Sequence, residues 1–193
     1  MDVNENNTKQ NQLSVYRRGA EDGLGFGIYL SFLMLAMMLT FHEPLLSLVS
    51  LAMIIGVPFI AYRSLRRGVR GRLYGGRFSE AWMHGISVFF FGALIMGLVM
   101  YVYIRFFDPD YIADNVRHAI VVLRDNPSAD SMETARRLQM MIDKKLLPGP
   151  IQLVFATIWL VVFTGSLLSM LMSMIAINSE RKRSIEKRSD NSK

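Results

Sequence analysis

Few residues in this chain have the type and spacing to do chemistry. Glu80 and His84 stand four apart, one helical turn, and arginines cluster upstream at Arg63, Arg66, Arg67, Arg70, Arg72 and Arg77. A carboxylate, an imidazole and guanidinium groups suit a site acting on a lipid phosphate. Such a site needs base, nucleophile and anion clamp to converge, and nothing in the spacing brings them together. His84 alone offers a proton shuttle, yet a histidine one turn inside a helix end also reaches solvent or a neighbouring carbonyl. His118 follows Asp114 by four residues, but a metal needs a second histidine or a third ligand. The glycines at 23 and 27 lack the preceding strand and the following Lys-Ser/Thr of a phosphate cradle. The chain has no cysteine, which excludes thiolate zinc and cysteine nucleophiles. No catalytic constellation emerges, no cofactor is expected, and the chain reads as a non-enzyme.

The elements that would carry these residues are membrane spans. From His84 to Ile104 no charge occurs for 21 residues, roughly 31 Å of helix, the thickness of a bilayer's hydrocarbon core. Hydrophobic residues make up 51% of the 193-residue chain, yet Lys and Arg outnumber Asp and Glu by 22 to 16. The apolar residues gather into four blocks and the charges lie almost wholly between them, which a soluble domain rarely shows. The expected fold is all-α: an integral membrane four-helix bundle with spans at about 23–41, 45–62, 81–107 and 149–177, and an amphipathic helical hairpin between spans three and four. One domain, 1–193, is expected, with disordered tails at 1–12 and 184–193. Without a breaker after Glu180, the last helix can also run on past the membrane.

Several local features refine this frame. Phe41-His42-Glu43-Pro44 is a turn short enough to make spans one and two an antiparallel hairpin, with Pro44 in the first turn of the second helix. Pro58 predicts a kink in span two. Arg63, Arg66, Arg67 and Arg70 share one helical face beside Tyr62, Leu65, Val69 and Leu73, the pattern of a short helix lying in the head-group layer with arginines on anionic phosphates. Gly75-Gly76 breaks that helix, and Ser79 or its neighbours begin span three. Small residues recur every four positions at Gly23, Gly27 and Ser31, and again at Gly165, Ser169 and Ser173. Such rows let backbones approach, so close contact between spans one and four is expected. Asp108 reads as an N-cap with Pro109 at the first helical position. Ile112, Val116, Ile120 and Leu123 form one apolar stripe. A second helix starts at a capping-box-like Asp130 to Glu133, with Met132, Ala135, Leu138, Ile142 and Leu146 facing one way.

Positive charge sets orientation. The N-terminal segment, the loop after span two and the C-terminal tail carry fifteen Lys and Arg together; the segment 108–148 carries six, offset by seven acids. Both termini and the arginine loop are therefore expected in the cytoplasm, and 108–148 in the periplasm. Membrane lipids are the expected partners, and no nucleic acid.

The lead into span three, Tyr74-Gly75-Gly76-Arg77-Phe78-Ser79-Glu80-Ala81, and the exit Asp108-Pro109-Asp110-Tyr111 carry a resemblance. Joined to four spans, a Met-rich external segment and Pro148-Gly149-Pro150, they make the chain, over roughly Gly19 to Arg183, similar to the family called domain of unknown function 4199. Gly76 to Ala81 and Phe107 to Tyr111 carry most of the match, and Gly75, Gly76, Phe78, Ser79, Glu80, Asp108, Pro109 and Asp110 are the family-like motif residues. The resemblance implies a small multi-pass protein of a Gram-negative inner membrane, with no assigned activity, whose relatives are often encoded beside a polyprenyl-phosphate glycosyltransferase-like protein. The expected role is a non-enzymatic accessory or scaffold subunit that binds another membrane protein of envelope biogenesis. The alternative is a small transporter or lipid flippase working as an oligomer, against which stands the absence of any expected charge at mid-depth.

Overall fold

The computed structural model describes the backbone of residues 3–40, 45–70 and 78–190, and the side chains of residues 17–40, 45–67 and 78–179. The turn Phe41 to Pro44, the glycines Gly75 and Gly76, and Arg72 and Arg77 lie outside the described residues, as does the side chain of Arg70. The chain is all-α: α1 (Val3–Leu39), α2 (Leu45–Arg70), α3 (Phe78–Val102), a π-helical turn (Tyr103–Phe107), α4 (Tyr111–Asp125), α5 (Ala129–Asp143) and α6 (Pro150–Asp190), with no strand among the described residues. Four segments are long and apolar enough to cross a membrane: Arg17–Leu39, Leu45–Arg67, Phe78–Phe107 and Pro150–Ser179.

The helices outrun the expected ends for one reason: no Pro interrupts the polar flanks of α1 and α6, so helical hydrogen bonding continues from the apolar segment outward. Thus α1 starts at Val3, within the tail expected to be irregular, and α6 runs to Asp190, through most of 184–193. Arg63, Arg66, Arg67 and Arg70 are likewise not a separate interfacial helix. They continue α2, which runs through Pro58 to Arg70.

Contacts group the chain into two compact units, one of residues 1–97 and 158–193 and one of residues 98–157. In the first unit α3 is the element the others meet. A side chain added at Gly19, Gly23 or Gly27 of α1 would run into Ser87, Phe91 or Ile95 of α3, and Gly27 lies against Gly92 there. Phe26 and Phe89 meet edge to face at 4.9 Å between ring centres. On the α6 side, a side chain at Gly165 would strike the ring of Phe89, and Ser169 lies against Gly85. Trp82 Nε1 donates to the Ser166 carbonyl at 3.2 Å. The expected contact between spans one and four is corrected: both small rows pack on span three, on two of its faces. Ser31 donates to the Gly27 carbonyl, and Ser169 and Ser173 are fully buried. Tyr29 of α1 donates to the Met53 carbonyl of α2 at 2.6 Å. The core joins Phe26, Leu30, Leu65, Val88, Phe89 and Met172, while large apolar side chains such as Phe59, Trp159 and Phe163 stay exposed. An apolar exterior suits lipid contact, where association depends on close packing rather than on escape from water.

In the second unit α4 and α5 pack on each other, with Ile120 and Ala135 buried between them. Ile112, Val116 and Leu123 are half-buried as their stripe predicts; Met132 and Leu146 are exposed instead. The caps also differ from expectation. Asp108 closes the π-helical turn, its N–H donating to the Tyr103 carbonyl, and α4 follows Asp110. Ser128, not Asp130, caps α5: its hydroxyl accepts from the Ser131 N–H at 3.1 Å, and Ser131 Oγ accepts from the Ser128 N–H at 2.7 Å. Serine at the third helical position takes the part usually given to Glu or Gln. Burial raises the Tyr111 phenol pKa above its ordinary 10.0, helped by Tyr103 and Asp108 and opposed by the hydrogen bond of Asn115.

Candidate functional site

The polar centre of the first unit joins three helices. Asp22 stands on α1, Ser64 on α2 and His84 on α3. Ser64 Oγ donates to Asp22 Oδ2 at 2.5 Å; His84 Nε2 lies 3.4 Å from the same oxygen and 3.3 Å from Ser64 Oγ. His84 is only 1% exposed, so the expected reach to solvent is corrected. The imidazole is held between helices by a carboxylate and a hydroxyl, a pairing that a low-dielectric interior requires of a buried ionisable group.

The local reasons are simple. Antiparallel pairing of α1 and α2 puts Asp22 level with Ser64. Gly85, next to His84, lets Ser169 of α6 approach and makes room for Leu65 of α2, so α3 sits close enough for the imidazole to reach across. Asp22 falls inside the segment Arg17–Leu39, near its start rather than at mid-depth, and is partly exposed.

Beside this cluster opens a half-open cavity of about 220 Å³ between α1 and α2. Glu21 and Asp22 line its α1 side; Arg63, Ser64 and Arg67 line its α2 side; Phe26, Ile60, Ala61 and Val88 supply apolar wall. Glu21 pairs with Arg17 at 3.3 Å. Among the described residues neither Arg63 nor Arg67 forms an ion pair. Arg66, on the same helix, has its Nε buried without a hydrogen-bond partner among them.

This arrangement is not that of a nucleophilic triad. A nucleophilic triad places the imidazole between hydroxyl and carboxylate, one ring nitrogen toward each. Here the same nitrogen, Nε2, faces both, and the Ser64 proton already points to Asp22. The three side chains also leave from helices whose backbone N–H groups are spent on helical bonds, so these helix backbones offer no oxyanion donors.

The other sequence candidates stay apart from this centre. Phe78, Ser79 and Glu80 form the first turn of α3, and Asp108, Pro109 and Asp110 the turn before α4. Asp114 accepts from Arg117 at 2.7 Å, and no group of three metal-binding side chains occurs among the described residues. Asp22 and Ser64 were missed because span one was started at Gly23 and because Ser64 hides in an arginine run. One signal was present: each stands 21 residues from Glu43 at the hairpin turn, so an antiparallel pair must bring them level.

No curated protein and no solved structure matches the chain. A family model described as "Protein of unknown function (DUF4199)" matches residues 21–178, a stretch that begins at the cavity's own Glu21 and contains every residue of the polar centre. The chain belongs to the DUF4199 family.

Proposed function

We propose that the chain is a non-enzymatic accessory protein of a bacterial inner membrane. In this reading it holds a polar head group at its arginine-bearing end and works beside another membrane protein of envelope biogenesis, such as a polyprenyl-phosphate glycosyltransferase. The carrying observation is the cavity between α1 and α2, lined by Glu21 and Asp22 on one side and on the other by Arg63 and Arg67, which form no ion pair among the described residues. Guanidinium groups at the end of a span sit at head-group depth, where they attract phosphates. Both termini would be cytoplasmic and 108–148 periplasmic, because the basic residues gather at the ends joined to 1–18, 63–77 and 180–193. Crosslinking in native membranes, followed by purification in mild detergent, tests the accessory role. The expected product is a stoichiometric complex with one multi-pass partner; recovery of monomer alone would overturn it.

A small transporter or flippase acting as an oligomer is the second reading, favoured by His84 and Asp22 inside their spans, since intramembrane ionisable groups commonly mark ion paths. Proton flux in vesicles that disappears in His84→Gln would support it, and flux equal to that of protein-free vesicles would end it.

A further inference from the structure

We infer that the cavity between α1 and α2 binds a zwitterion made of a phosphate and a primary ammonium, the chemistry of an ethanolamine phospholipid head group. This rests on the head-group-binding reading above and specifies its ligand.

The two walls carry opposite charge and do not neutralise each other. Glu21 and Asp22 face the cavity from α1, Arg63 and Arg67 from α2, yet no ion pair joins them among the described residues. Opposite charges lining one half-open cavity leave a place for a ligand that carries both signs. The phosphate would take the two guanidinium groups, for which their planar donors are suited. The ammonium would take Asp22, with Glu21, whose other partner is the exposed Arg17, beside it. Ser64 and His84 both contact Asp22 at Oδ2, which holds the carboxylate in place and leaves Oδ1 to accept from an incoming N–H.

Three features narrow the class. A purely anionic head group would set its charge against Asp22 and leave that carboxylate's Oδ1 without an N–H donor. A quaternary ammonium has no N–H to give it and is usually met by an aromatic cage, whereas among the described residues Phe26 is the single aromatic one on this wall. The volume of about 220 Å³ equals roughly seven waters at about 30 Å³ each, enough for a small head group. Gly25 also lines the cavity, and a side chain built there meets nothing within 4 Å, unlike the packed glycines of the same helix. The apolar wall of Phe26, Ile60, Ala61 and Val88 would receive the glycerol end of a lipid.

The test uses the full chain in mild detergent. Phosphatidylethanolamine, phosphatidylglycerol and phosphatidylcholine of matched acyl chains are added in separate arms, and soluble phosphoethanolamine in another. Native mass spectrometry counts bound molecules, and thermal unfolding reads stabilisation. Phosphatidylethanolamine should be retained in preference to the other two lipids. Retention should fall roughly tenfold or more in Arg63→Gln/Arg67→Gln, as loss of charged hydrogen bonds predicts. It should fall likewise in Gly25→Leu, which fills the cavity while its unliganded melting is no lower than that of the parent. Glu21→Gln should narrow the preference for ethanolamine over glycerol. Binding of soluble phosphoethanolamine would show that the head group suffices, and its failure beside lipid binding would assign the ligand to the bilayer; both support the inference. Phosphatidylglycerol retained as well as phosphatidylethanolamine, and lost in the arginine variant, would overturn the zwitterion and leave a phosphate-binding protein. Equal retention of all lipids by parent and variants would overturn both readings.

Discussion

A methyl group added at Gly165 meets the ring of Phe89, which is buried; one added at Gly25 meets open space. Gly165→Ala should therefore cost about 1–3 kcal/mol through overpacking, while Gly25→Ala should be neutral or gain roughly 0.5–1 kcal/mol from better helix propensity. Melting in detergent reads both, and equal midpoints would show that α6 does not sit on α3 as described. The polar cluster makes a second contrast. Ser64→Ala removes one donor to Asp22 and should cost about 1 kcal/mol. Asp22→Ala deprives both Ser64 and the buried His84 of their shared acceptor and should cost more, about 1–3 kcal/mol. A larger loss in Ser64→Ala than in Asp22→Ala would contradict the arrangement. His84 itself was legible in the sequence as a residue worth weighing. Its environment was not, because hydropathy ranks each span separately and has no term for which side chains from different spans meet.

Spans one to four were legible because each must satisfy its backbone within the helix and cover it with apolar side chains, a demand visible along one segment. Which helix each small row faces was not legible, since Gly23, Gly27, Gly165 and Ser169 have the same spacing whatever they touch. The structure puts both rows on α3, whose span is the most buried of the four at 50%, against 11% for α2. A testable difference follows. If Gly27 and Gly165 touched each other, Leu at both would couple strongly. Resting on separate faces of α3, against Ile95 and Phe89, the two changes should add within about 0.3–0.5 kcal/mol. A double variant whose loss falls far short of the summed single losses would restore direct contact of α1 with α6. Helix ends were the least legible elements. Pro109 drew the α4 start toward Asp108, although the π-helical turn had already used that residue's N–H. Ser128→Ala should confirm the observed cap by weakening α5 by about 1 kcal/mol, seen as faster amide exchange in its first turn. Unchanged exchange would return the cap to Asp130.

The distribution of charge along the whole chain carries one statement that no single helix can make: which ends of the spans share a compartment. Asp22 meets Ser64, Ser64 meets His84, and Gly85 meets Ser169, so the start of span one, the end of span two, the start of span three and the end of span four lie at one end of the first unit. Those same ends adjoin the fifteen Lys and Arg of the N-terminal segment, the arginine run and the C-terminal tail. Moving such residues across a bilayer is what the positive-inside bias opposes, so the proposed orientation puts this end in the cytoplasm. The absence of native cysteine makes the check clean. Ser131 closes the α5 cap, so the outer probe belongs at exposed Ala129 instead. Ser189 serves as the inner probe, ten residues and about 15 Å of helix past the end of span four at Ser179. A membrane-impermeant maleimide should label Ala129→Cys in cells with a permeabilised outer membrane and reach Ser189→Cys only after the inner membrane is broken. Labelling of Ser189→Cys in the intact state, with Ala129→Cys protected, would invert the orientation. It would also place the cavity at the periplasmic leaflet, where its head group would have to come from the other half of the bilayer.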